Sequence, residues 1–121
     1  MRVVSATTGS ALYLGTELDG KWWRRYRAPG YFARGNGTYA FEDGAMRFHR
    51  HLTTEATVVP VSAITGVTTG TWHAGTWLAG KPVVKVAWIG PGGEALSSGF
   101  GFADRASAEA FAAELERRRA A

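Results

Sequence analysis

The chain reads as a mostly-β structure closed by one C-terminal α-helix. Three observations carry that reading. Between Thr38 and Phe102, runs of strand-forming residues recur at short spacing with glycine or proline between them. Inside several of those runs apolar residues alternate with polar or small ones, the period of a strand with one buried face. After Asp104 the period changes: Ala108, Phe111, Ala112 and Leu115 recur three and four apart, as on one face of an amphipathic helix.

Each element has its own signal. Thr38–Glu42 is rich in strand formers, and Glu42-Asp43-Gly44 supplies a tight turn whose Asp-Gly pair tolerates positive φ. Met46, Phe48 and Leu52 then alternate with Arg47, His49 and His51, which sends the apolar set inward. Thr57–Val61 is the third strand and Ile64 to Trp72 the fourth, with Gly66 and Gly70 as bulge or bend positions. His73–Lys81 reads as a glycine-containing loop. Pro82–Ile89 is a nearly continuous apolar strand, and Gly90-Pro91-Gly92-Gly93 turns the chain back into Ala95–Phe102. Asp104 is placed to cap a helix of about four turns, whose last turn carries Arg117, Arg118 and Arg119 at the negative end of the helix dipole. The expected core is Tyr39, Phe41, Met46, Phe48, Val59, Val61, Ile64, Val84, Val86, Trp88, Leu96, Phe100, Phe102, Phe111 and Leu115.

The N-terminal third supports two readings. Leu12, Leu14 and Leu18 keep even spacing, and Asp19-Gly20 can turn that strand into Lys21–Arg27 as a hairpin. Trp22 and Tyr26, four apart, also fit one face of a helix, and Pro29-Gly30 ends either element.

Composition narrows the function classes. A length of 121 residues suits one domain with one core. Within it, 1–37 is a basic and aromatic lead-in, 38–103 the strands and 104–119 the helix. The absence of cysteine removes disulfide frameworks, thiolate metal sites and thiol nucleophiles. No apolar stretch approaches the ~18 residues of a membrane span, and the first fifteen residues make a poor signal peptide, so a cytoplasmic protein is expected. The formal charge of +4 is local: residues 1–37 hold Arg2, Lys21, Arg24, Arg25, Arg27 and Arg34 against Glu17 and Asp19, while 38–103 and 104–121 each balance.

The stretch from Gly37 to Leu115 resembles bacterial members of the pleckstrin-homology-like (PH-like) and GRAM-like group. The resemblance rests on "GTYAFEDGAMRFHR" for a first hairpin, "TVVPVSAITGV" for a proline-centred turn, "PVVKVAW" for a central strand and "LSSGFGFAD" leading into the helix. The upstream "GTELDGKWWRRYRAPGYFARGNG" is similar to the lead-in of some bacterial relatives. The resemblance implies a bent antiparallel barrel or sandwich of about seven strands with the helix plugging one end. It implies a non-catalytic module that binds a protein or peptide, with open sheet edges beside the helix as a groove for an extended partner. Lipid-binding relatives hold inositol phosphates with basic residues around the first hairpin. Here Glu42 and Asp43 occupy that tip, which argues against a phosphoinositide.

Lys21-Trp22-Trp23-Arg24-Arg25-Tyr26-Arg27, with Arg34, is the most distinctive chemistry. Guanidinium groups pair with phosphate and aromatic rings stack on bases or sit at a lipid interface, so the segment suits a nucleic acid or an anionic membrane surface. It equally suits a sheet face whose arginines lie on rings or in solvent. Trp72 and Trp77, in the loop with His73 and Leu78, either stand exposed as binding anchors or fold back over the barrel end. His49 and His51 share a strand face, with His73 as a third imidazole, but neighbouring Arg47 and the lack of a local carboxylate argue against a metal site. Neither glycine cluster has phosphate-loop spacing, and no serine or carboxylate pair forms a catalytic motif, so no enzyme, cofactor or metal is expected. A small-molecule barrel is a third reading, which needs a cavity of several hundred Å³. Self-association through the sheet edges is the remaining partner expectation.

Overall fold

One strand, β1 (Thr8–Leu18), belongs to both halves of the sheet, and its bend sets the architecture. The computed structural model describes residues 8–51, 53 and 55–120. The first half of β1 pairs with β3 (Gly35–Glu42), from Thr8 against Ala40 to Tyr13 against Gly35. Its second half pairs with β10 (Ala95–Gly101), and the register slips between Tyr13 and Gly15. A slip of this kind leaves one residue unpaired and bends the strand, so the two halves curl toward each other. With β2 (Lys21–Arg25), β4 (Ala45–Arg50), β5 (Ala56–Pro60), β6 (Ile64–Gly70) and β9 (Val83–Ile89), the antiparallel order is β5-β4-β3-β1-β10-β9-β6, with β2 added beside β1. The helix α1 (Arg105–Ala120) follows. This is the expected seven-strand path and terminal helix, with additions.

The interior is filled by side chains. Every residue of the expected core is buried except Val61, which falls in a short 3-10 turn after β5 and is only half-buried. Phe111 carries the helix into the core, its ring 4.7 Å from Tyr39, 5.4 Å from Phe100 and 5.2 Å from Phe102. Asp104 caps the helix by accepting a 2.7 Å hydrogen bond from the Ser107 amide, which holds its carboxyl below the usual range. The β3–β4 turn has positive φ at Asp43 and Gly44, as the Asp-Gly pair requires. Leu52 and Arg2 lie outside the described residues.

Lys21–Arg25 is strand, so the hairpin holds and the helix reading of Trp22 and Tyr26 does not. Beyond it, residues 26–34 cross the barrel, and Tyr31 plugs the interior on the side of Trp88, 5.8 Å ring to ring. This crossing is tied down by a buried chain of hydrogen bonds. The Trp88 Nε1–H can only donate, and it meets Ser98 Oγ at 3.0 Å. The Tyr31 carbonyl can only accept, and it takes the Tyr13 hydroxyl proton at 2.6 Å. These two ends orient everything between them: Ser98 donates to Thr16 Oγ1 at 2.6 Å, and Thr16 donates to the Tyr13 oxygen at 2.5 Å. Burial pushes the Tyr13 phenol well above its ordinary pKa, so its proton stays in the chain.

The segment read as a loop, His73–Lys81, contains a further hairpin, β7 (Trp72–His73) and β8 (Thr76–Trp77). Accordingly β6 stops at Gly70 instead of running to Trp72. The turn has positive φ at both central residues, 50° at Ala74 and 83° at Gly75. The hairpin lies on the outer face of β10, where two glycines leave room. A Cβ at Gly99 would stand 2.4 Å from the His73 ring, and one at Gly101 would stand 2.3 Å from Leu78. His73 is wholly buried, with Nε2 donating to the Ser97 carbonyl at 2.8 Å and Nδ1 3.7 Å from Glu17 Oε2. Burial lowers the His73 pKa below 6.5 against the opposing pull of Glu17, with Lys85 reinforcing the drop.

Two outcomes follow from these buried groups. Thr16→Val keeps the shape but breaks the chain in the middle, and it should cost about 1–3 kcal/mol in chemical denaturation; a loss under about 0.5 kcal/mol would contradict the directed chain. Because His73 takes a proton more readily when unfolded, stability should be full above its ordinary pKa of 6.5 and fall as the pH drops below it. The slope should reach at most about 1.4 kcal/mol per pH unit for this group. Denaturation curves of the parent and of His73→Asn, taken between about pH 7.5 and pH 5.5, check this: the variant should show the smaller pH dependence.

Candidate functional site

Four of the five tryptophans stand in solvent, and they come from two segments far apart in sequence. In β2 the cause is a break in register. Leu18 pairs with Lys21 and the adjacent Glu17 pairs with Arg25, so one step along β1 spans four along β2. Residues 22–24 therefore bulge away from the ladder. Trp22 and Trp23 are 51% and 63% exposed, packed edge to face at 5.7 Å. In the β7–β8 hairpin the cause is strand alternation: His73 points inward, so its neighbour Trp72 points out, opposite its register partner Trp77. These two are 42% and 66% exposed. The two segments meet where the Trp22 ring covers the hairpin turn, 3.4 Å from the position a Cβ on Gly75 would take.

The hairpin is held from below by charged side chains. Glu17 Oε2 accepts the Ala74 amide at 2.9 Å, and Arg34 Nη2 donates to the Ala74 carbonyl at 2.7 Å while its Nε donates to the Leu14 carbonyl at 3.0 Å. Both polar groups of the left-handed residue are thus fixed. A strained φ persists where its surroundings determine it twice over, as here.

The other cations of the lead-in have specific neighbours. Arg24 pairs with Asp19 at 2.8 Å in an exposed ion pair. Arg25 donates to the Phe32 carbonyl, and burial together with Arg34 lowers its pKa. The guanidinium groups of Arg25 and Arg27 lie 4.4 Å and 4.5 Å from the Phe32 ring. Lys21 sits 6.0 Å from the Trp23 ring, and Lys85 sits 5.5 Å from Trp72. Tyr26 is half-buried against Tyr31 at 5.3 Å.

The residues singled out in the sequence therefore divide into two groups. Trp22, Trp23, Trp72, Trp77, Lys21 and Arg24 form an outward layer, whereas Arg25, Tyr26, Arg27 and Arg34 brace the crossing and the hairpin beneath it. His49 and His51 are exposed, whereas His73 is buried against Gly99; among the described residues no group of three metal-ligating side chains occurs. Sequence reasoning passed over Glu17, Ala74, Gly75 and Gly99, which position the tryptophans without showing themselves. Among the described residues no helix is long and apolar enough to cross a membrane.

Residues 2–116 match a family model described as "Bacterial PH domain-like". A search of curated proteins finds no match. The bent sheet with its terminal helix agrees with that match, which spans nearly the whole chain, and the protein belongs to the bacterial PH domain-like family.

Proposed function

We propose that the chain is a non-catalytic interaction module that engages a protein or peptide partner through the face formed by Trp22, Trp23, Trp72 and Trp77. The observation that carries the reading is that four large aromatic rings, each at least 42% exposed, come from two segments that meet at the Gly75 turn, which a clamp beneath it fixes. Exposed Trp costs solubility and contributes nothing to the core, yet Trp is among the residues that dominate interface energetics. A clamp of this kind also fixes the backbone between Trp72 and Trp77 before binding, which lowers the ordering cost of association.

A second reading has its own observation. Arg27 and Arg34 each lie close enough to Arg25 to act on it electrostatically, and among the described residues none of the three has a carboxylate partner. This supports contact with a polyanion, although Arg25 and Arg34 already donate to backbone carbonyls.

Pull-down from the native host extract, repeated with Trp22→Ala and Trp77→Ala, separates the readings. Trp77→Ala should keep the stability of the parent within about 0.5 kcal/mol, because its ring is the most exposed of the four, and both variants should lose the retained partner. Retention of every partner by both variants would overturn the protein-binding reading. Binding to single-stranded oligonucleotide or anionic vesicles that falls steeply with salt would favour the polyanion instead.

A further inference from the structure

The barrel interior is filled, but a cleft of about 610 Å³ opens on the outer face of the sheet, within the size range of small-molecule sites. Its floor is the outer side of β1 and β10 around Leu12 and Gly101, and Leu78 forms an apolar wall, while the Phe102 ring turns into the core against Phe111. One wall is therefore made by the chain leaving β8, which is seated because Gly101 has no side chain. The polar side chains lining it are Ser10, Asn36, His51 and Lys81. Among the described residues neither the Lys81 nor the His51 side chain has a hydrogen bond or ion pair. Among the described residues no Asp or Glu lines the cleft. The nearest carboxylate along the chain, Asp104, is committed to the Ser107 amide.

We infer that this cleft binds a small amphiphilic carboxylate, with its apolar body against Leu12 and Leu78 and its carboxylate at Lys81. Charge complementarity selects the class. An apolar trough with one free ammonium and no acid favours an anion carrying a hydrocarbon or aromatic body over a neutral or cationic one. The site is separate from the tryptophan face, since Trp77 points outward and its neighbour Leu78 points down onto Gly101. Its failure would therefore leave the interaction reading standing.

Decanoate and decan-1-ol serve as matched probes, with binding followed by calorimetry and by amide shifts in NMR spectra of the full chain. Decanoate should bind saturably with the largest shifts at Leu12, Leu78 and Gly101, and decanol should bind at least about tenfold more weakly, as expected for loss of a charge-assisted contact. Lys81→Gln alters an exposed loop side chain and should weaken decanoate by a similar factor without changing decanol, whereas Trp77→Ala should leave both unchanged. The inference is overturned by any of three results: no saturable binding at about millimolar decanoate, equal binding of the two probes with Lys81→Gln silent, or shifts centred on Trp22 and Trp77.

Discussion

Ala74 sits in a left-handed conformation with its amide on Glu17 and its carbonyl on Arg34, and the outer surface of the protein is organised around that residue. Left-handed φ costs a residue with a Cβ about 1–2 kcal/mol. Two hydrogen bonds to charged groups contribute about 1.5–3 kcal/mol each, enough to outweigh it. The turn is thereby pinned to β1 on one side and to the crossing segment on the other. Below it, His73 fits the hollow at Gly99, and above it Trp22 covers Gly75. Two segments that are separate in sequence become one surface through this single turn.

The same arrangement separates structural from presentational work. Within the barrel, Phe111 and Tyr31 enter on different sides of the Tyr13, Phe48 and Phe100 rings and leave little room for a ligand. The outer face is different. Glycines where a sheet surface would ordinarily carry side chains let a hairpin lie flat against β10, and the hairpin then supplies both exposed tryptophans and the wall of a cleft. Arginines that look like ligand-binding groups in the sequence also serve here as ties between backbone carbonyls, which is a use suited to a rigid fork of donors.

The barrel was legible because its signals are local. Alternation in Met46 and Phe48, the Asp43-Gly44 turn and the stripe through Phe111 each declare an element without reference to the rest. The β7–β8 hairpin was not, because its turn uses Ala-Gly where Asn-Gly or Asp-Gly would have announced it, and because two-residue strands have no period. Tyr13 and Leu14, both buried, escaped the expected core since the bulge between Tyr13 and Gly15 breaks the even spacing from Leu12. Glu114 escaped it for another reason: a buried carboxylate is rare without partners, and here Arg117 and Arg118 supply them from the next turn. For the candidate site, the aromatic and basic residues stood out by composition. Their division into exposed rings and bracing arginines depended on a register break in β2 that no pattern of residue types encodes.

The most direct test of the clamped hairpin is amide hydrogen exchange on Gly99→Ala. The added methyl would stand 2.4 Å from the His73 ring and 2.8 Å from its Cβ, too near the backbone for a side-chain rotation to relieve. Since the methyl points away from the core, the expected result is loss of protection at the Ala74 amide and its hairpin neighbours, with β9, β10 and α1 protected as in the parent. Full protection of the hairpin in the variant would show that the contact with β10 does not hold it, and would contradict the account.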